Sequence, residues 1–321
     1  MLYIIFSDYS MSEYILAPLQ QMSGVKLIRY EQRAKALRLH IARFIRTYLC
    51  HHAGFMSNMI FTPSLCRSIK EIGSNDRVLL FGIDTLKDLL IIHDEIKSVQ
   101  KQVFLWNPLR ARIHTALSRW YFVRTLSKTC MDISTYDPWD AIHYHFKLVR
   151  QVYRFPSEPT NITCSPMNDI FCIMNDKGRG KQLVEMVRLF MKAGLTMDMH
   201  IVKDKQTKYQ EELQPYYSYK RMGYSEVLTH ISHSRCILEI LQQGQEGHSL
   251  RALEALFMNK KLITNNHNIK DADFYKRSNV LIIDRFTTPA DITAFMSESY
   301  QPISSEIIKN YEINTWIQTF M

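Results

Sequence analysis

The stretch Gln242-Gln-Gly-Gln-Glu-Gly-His-Ser-Leu-Arg-Ala-Leu-Glu-Ala-Leu-Phe-Met-Asn-Lys-Lys-Leu-Ile-Thr-Asn-Asn266 reads as a polar loop, a helix and a buried strand. The apolar run Cys236–Ile240 just before it has strand length. Gly244 and Gly247 let the backbone approach a ligand closely. Ser249 is placed to cap the helix Ser249–Met258, whose first N–H groups then point at the loop. Free N–H groups at a helix start suit an anion such as pyrophosphate. Leu250, Leu253, Leu256 and Phe257 hold the helix on a sheet, and Lys261–Thr264 is the next strand. Glu254 lies between one and two turns into the helix, where a carboxylate can accept two hydrogen bonds from a ribose diol.

Outward from this stretch, strands and helices alternate. Ile170–Met174 is a strand, Asn175–Gly180 a glycine-containing loop and Lys181–Ala193 a helix. Met197–Val202 is a strand and Tyr224–Ser232 a helix. Val280–Ile283 is a strand, and helices are expected over Pro289–Ser297 and about Ser304–Phe320. The first half carries strands at Leu2–Phe6, Val78–Gly82 and Val103–Trp106. Its clearest helix is Arg33–Leu49, with Leu37, Ile41, Phe44, Ile45 and Tyr48 on one face and Lys35, Arg38, Arg43 and Arg46 on others. A second basic helix follows Pro108, with Ile113, Leu117, Trp120 and Tyr121 on one side. Residues 154–169 hold three prolines and read as a linker. The expected organisation is a domain over 1–153, the linker 154–169, a second domain over 170–303 and a helix over 304–321 packing back toward the first domain. Buried strands alternating with helices imply parallel sheets covered on both faces, and hence an α/β fold.

The 321 residues suffice for two domains of ordinary size. No run approaches the length needed to span a bilayer. Met1–Phe6 reads as a first strand and not as a signal peptide. The six cysteines are scattered without a Cys-x-x-Cys pair, which argues for reduced thiols and a cytoplasmic location. Residues 1–150 hold 20 Lys+Arg against 12 Asp+Glu, and the remainder 20 against 19, so the net +9 belongs almost wholly to the first half. Such one-sidedness points to an anionic partner in that half, such as a phosphorylated acceptor or the inner face of an anionic membrane. No zinc-finger or RNA-recognition signature accompanies it, so nucleic acid is not expected as a partner.

The Gln242–Asn266 stretch resembles the donor-binding segment of GT-B glycosyltransferases, many retaining families of which carry two glutamates separated by seven residues. Here Glu246 and Glu254 have that spacing, Gly247 follows the first, and Lys260-Lys-Leu-Ile-Thr-Asn265 matches the closing strand. The resemblance implies two Rossmann-like domains facing across a cleft. It implies that Glu254 binds the nucleotide ribose, that Glu246 faces the donor sugar, and that Gly244, Gln245, Gly247, Ser249 and Arg251 line the donor loop. His248, in the same loop, joins Glu246 as a catalytic candidate. By the same resemblance Arg179 and Lys181, in the loop after Ile170–Met174, would meet the diphosphate in place of a metal.

Over about residues 165–300 the pattern looks like that of bacterial transferases building lipopolysaccharide or capsule. The implied activity is a metal-independent hexosyltransferase. It moves a sugar from a nucleotide diphospho-sugar to a glycan or lipid-linked glycan, with retention argued from the glutamate pair and no cofactor. The first half matches only in architecture, since Ser7-Asp8-Tyr9 stands where many such proteins have a glycine-rich loop. The alternative is a non-catalytic nucleotide- or glycan-binding protein on the same fold.

Acceptor-side candidates are Asp8, Asp84 and Asn107, each just past a predicted strand of the first domain. Asp271-Ala-Asp273 has the spacing of a metal-binding pair but sits in a polar loop, and no metal is assigned to it. His143-Tyr-His145 alternates as if on one side of a strand and lacks a third ligand.

Overall fold

The computed structural model describes residues 1–31, 60–156, 166–205 and 207–321. The basic helix expected over Arg33–Leu49 and most of the expected linker lie outside the described residues. Contacts divide the chain into unit 1, Met1–Arg150 with Ile313–Met321, and unit 2, Gln151–Glu312.

Unit 1 is built on β1 (Leu2–Ser7), β2 (Val25–Tyr30), β3 (Arg77–Phe81), β4 (Gln100–Leu105), β5 (Asp132–Thr135) and β6 (Lys147–Leu148), in the order β2-β1-β3-β4-β5-β6. Every pair is parallel. Ile4, Ile5, Val78–Phe81 and Val103–Leu105 are buried without alternation, as in strands covered on both faces. Phe81 and Phe104 meet the Trp316 ring edge-on at 5.9 and 4.9 Å, and its indole N–H donates to the Arg150 carbonyl at 2.8 Å. The last nine residues thus complete the core of unit 1.

Unit 2 repeats the plan with β7 (Asn168–Asn175), β8 (Met197–Val202), β9 (Tyr217–Ser218), β10 (Ser234–Glu239), β11 (Lys261–Thr264) and β12 (Val280–Ile282), in the order β12-β11-β10-β7-β8-β9, again all parallel. In both sheets the winding reverses. The chain leaves β1 for β2 on one side and then crosses to β3 on the other; it leaves β7 for β8 and later crosses to β10. At such a switch point the two adjacent crossovers diverge and open a crevice beyond the carboxyl ends of the strands.

Three expectations are corrected. The helix after Pro108 is two pieces, Leu109–Arg112 and Ala116–Ser127, because the Thr115 side chain accepts from the Ser118 N–H and caps a new start. The new helix is rotated so that Phe122 and Leu126 are buried, while Leu117, Trp120 and Tyr121 are 74%, 53% and 46% exposed. His143 and His145 are not on a strand: His143 stacks on Trp139 within the helix Pro138–Tyr144, and His145 ends it in the left-handed region. The single last helix is three short turns, Ser305–Lys309, Ile313–Trp316 and Ile317–Phe320, because the chain extends between the first two to bridge Glu312 to Tyr153.

Gly82, just past β3, has φ +65 and donates its N–H to the Phe104 carbonyl. A Cβ there would stand 2.9 Å from the Trp106 ring and 3.2 Å from Ser7 Oγ. Gly82→Ala therefore meets left-handed strain of ~1 kcal/mol and overpacking of ~1–3 kcal/mol. We expect a loss of about 2–4 kcal/mol in urea unfolding, and an unchanged midpoint would show that the turn relaxes freely.

Candidate functional site

The carboxyl ends of β7, β10 and β11 are braced to one another by the residues that follow them. β7 leads into a tight turn in which Lys177 (φ 47) and Gly178 (φ 79) are both left-handed. The Arg179 N–H closes this turn on the Asp176 carbonyl at 2.9 Å, and the buried Asp176 carboxylate accepts the Gly178 N–H at 2.8 Å. Two consecutive positive φ angles define a type I′ turn, which glycine permits at its second position. The Lys177 N–H donates to Asp204 after β8, and its ammonium donates to Gln242 after β10 at 2.6 Å. Burial lowers the Lys177 pKa, chiefly by desolvation.

Arg179 spans the switch point. β7 and β10 pair only as far as Phe171 and Ile237. Beyond that, one guanidinium nitrogen donates to Ile240, another to Asn175, and Nε to Asp176 at 3.1 Å, all at carbonyls. Arg179 thus replaces missing ladder bonds with its own donors. Lys181, exposed on the first turn of the helix Gly180–Lys192, makes no hydrogen bond or ion pair among the described residues.

After β10, Gly244 (φ 85) turns the loop, and the Gln245 N–H returns to the Gln242 carbonyl. Ser249 caps the helix Leu250–Phe257, accepting from the Arg251 N–H at 3.0 Å. Its hydroxyl donates to Glu239, the last residue of β10, whose other oxygen accepts from Thr264 at the end of β11. Glu239 is buried, which raises its pKa, and the two hydroxyls oppose the shift. The loop is tied further by Asn266 to the Gly247 carbonyl and by Asn268 to the Glu246 carbonyl, at 3.5 and 3.3 Å.

Glu254 faces inward with no exposure. One oxygen accepts from Tyr224 at 2.7 Å, the other pairs with Arg251, and Tyr224 meets the Tyr153 hydroxyl at 2.6 Å. Burial raises the Glu254 pKa, against the Arg251 charge. His248 packs edge-on against Phe274 at 5.6 Å, and its buried Nδ1 has no hydrogen-bond partner among the described residues. Desolvation lowers the His248 pKa, so the imidazole is neutral near pH 7. Arg179, Lys181, Gly244, Gln245, Glu246, Gly247, His248, Ser249 and Arg251 thus lie on the loops and helix starts that follow the adjacent strands β7 and β10, with Glu254 buried within the second helix. Sequence reading missed Lys177, Glu239 and Tyr224. A lone Glu inside the apolar run Cys236–Ile240 was the available signal for Glu239.

In unit 1, Asp8, Asp84 and Asn107 follow β1, β3 and β4 at the other switch point. Asp8 is exposed and pairs with Arg29 at 3.5 Å. Asp84 is buried, accepting from the Trp106 N–H and the Asn107 amide at 3.2 and 2.6 Å, so these two hold each other. Burial raises the Asp84 pKa. Beside them Asp140 accepts the Leu109 N–H at 2.6 Å, while its Oδ1 has no hydrogen-bond partner among the described residues. Burial pushes its carboxyl up to about 6. A first-turn acid gives no sign of this in sequence.

No family model matches the sequence, and no curated protein does. Solved structures do match. A sucrose-phosphate synthase from Thermosynechococcus elongatus superposes with a TM-score of 0.55 at 8% identity, covering 99% of this chain and 97% of its own. An alpha,alpha-trehalose-phosphate synthase (UDP-forming) from Burkholderia xenovorans, solved with glucose-6-phosphate, gives 0.53 at 9% identity over 99% of this chain and 96% of its own. The shared architecture is the GT-B fold, with two Rossmann-like domains.

The Asp140 shift predicts a pH dependence. The unfolded carboxyl ionises near 4 and the folded one about 6. Between those values the folded chain holds the extra proton, so stability falls as pH rises through this window, by about 3 kcal/mol in all. Asp140→Asn keeps an acceptor for Leu109 and removes the titration. Urea unfolding of both proteins should diverge across the window and run parallel above it; a constant difference would mean that Asp140 does not titrate there.

Proposed function

We propose that the chain is a glycosyltransferase that takes a sugar from a nucleotide diphospho-sugar at the crevice of unit 2. The observation that carries the reading is the switch point between β7 and β10. Two helix N-termini open there from adjacent strands, each behind a left-handed glycine turn, with Lys177 and Lys181 beside the first. Oriented N–H groups and ammonium groups of this kind stabilise charge that grows on a leaving diphosphate, without a metal. Arg179 adds a fixed positive charge at the same place while it holds the strand ends. Glu246 and the neutral His248 are the residues assigned to the sugar, and the seven-residue spacing of Glu246 and Glu254 favours retention. A ribose diol would reach Glu254 by displacing the Tyr224 hydroxyl.

A second reading, nucleotide or glycan binding without transfer, is favoured by the internal engagement of Arg179 and Glu254. Thermal shift with UDP, GDP, ADP, dTDP and CMP, followed by donor turnover, separates the two. In the transferase reading one nucleotide raises the melting temperature. Lys181→Ala, on an exposed residue, then weakens that nucleotide about tenfold, and Glu246→Gln keeps binding but loses turnover. Binding without turnover of any donor supports the second reading; no shift with any nucleotide overturns the transferase reading and leaves only glycan binding.

For the acceptor we propose a glycan or lipid-linked glycan of the bacterial surface-polysaccharide class, met at an anionic membrane surface on the cytoplasmic side. Leu117, Trp120 and Tyr121 stand exposed on a helix that also carries Arg119 and Arg124, in the half with the charge excess. Apolar and aromatic side chains ringed by cations suit an anionic lipid interface. No helix among the described residues is long and apolar enough to cross a membrane. The chain should cosediment with vesicles containing phosphatidylglycerol and not with pure phosphatidylcholine, and Leu117→Ser with Trp120→Ser should abolish it. Equal binding to both lipids, or retention in the double variant, would remove this acceptor surface.

A further inference from the structure

Asp198 and His200 lie two apart on β8, so both side chains leave the same face of the sheet. His230, near the end of the helix Tyr224–Ser232, meets them there. His200 Nε2 stands 2.8 Å from one Asp198 oxygen and His230 Nδ1 2.6 Å from the other. The two rings are 5.0 Å apart and nearly perpendicular, and Phe171 stacks on His230 at 5.7 Å. All three donor atoms lie within 4.8 Å of one another. The side chains are 17–29% exposed.

We infer that Asp198, His200 and His230 form a binding site for one divalent transition-metal ion of the zinc class. Two imidazoles and one carboxylate are the ligand types such ions take, with a fourth position left to water. Ligands about 2.0–2.2 Å from a common ion sit roughly 3.3–3.5 Å apart. The present separations, 2.6 and 2.8 Å from Asp198 and no more than 4.8 Å between any two donors, lie on either side of that spacing. The ion takes the place of the two N–H donors, and each ligating nitrogen gives up its proton on binding. Asp198 pairs with Phe171, four residues before the carboxyl end of β7. The site therefore lies roughly 13 Å from the diphosphate crevice along the strand, and its role is to fasten β8 to the helix that carries Tyr224. The inference does not depend on the proposed transferase activity.

The test is titration of the EDTA-treated full-length chain with cobalt(II) and zinc(II). The expected result is one ion per chain, a d–d spectrum typical of a four-coordinate nitrogen and oxygen site, and a raised melting temperature. Affinity should fall at least about tenfold in His200→Ala and in His230→Ala, and stay unchanged in His51→Ala with His52→Ala and in His143→Ala. Retained binding in the His200→Ala, His230→Ala double variant overturns the site. Should those variants fail to fold, the spectrum of the unsubstituted chain decides, and a six-coordinate aquo-like cobalt spectrum overturns it equally.

Discussion

Glu239 ends β10 with both carboxylate oxygens engaged, one by the Ser249 hydroxyl and one by the Thr264 hydroxyl. Each hydroxyl in turn accepts a backbone N–H, from Arg251 and from Asn266. One buried carboxylate therefore fixes the start of the helix Leu250–Phe257 and the turn after β11 at the same time. Hydrogen bonds to a charged acceptor contribute ~1.5–3 kcal/mol each, more than neutral ones. The loop from Leu241 to His248 is strung between these two anchors. Its glycine turn, the neutral His248 and the exposed N–H groups have a defined place only because its ends do.

The parts of the fold that were legible in the sequence are those governed by one local rule. Met197–Val202, Tyr224–Ser232, Lys261–Thr264 and Pro289–Ser297 have the bounds their apolar spacing and caps imply. β2 escaped notice because Val25–Tyr30 alternates buried and exposed positions at a sheet edge, and β6 and β9 are two residues long. The break after Pro108 turns on Thr115 competing as a cap, a contest that periodicity alone does not report. At the site, the loop and its glycines were legible because turns demand them. The partners of Arg179 and Glu254 were not, since they are Asn175, Ile240 and Tyr224, brought in by the tertiary fold.

Arg179 and Glu254 illustrate one physical point. A buried ionic group keeps its charge only where polar partners replace water. Arg179 finds three carbonyls at splayed strand ends, and Glu254 finds a tyrosine hydroxyl and an arginine. In this arrangement each group serves the fold, Arg179 at the strand ends and Glu254 beneath the start of its helix.

The membership of Ile313–Met321 in unit 1 has a consequence for biogenesis. Unit 2 is continuous in sequence, whereas unit 1 lacks Trp316 against Phe81 and Phe104 until synthesis has passed the whole of unit 2. At ~5–20 residues per second on the ribosome, the first sheet waits roughly 8–30 s for the Trp316 ring. The later-made unit can therefore complete its contacts before the earlier one does.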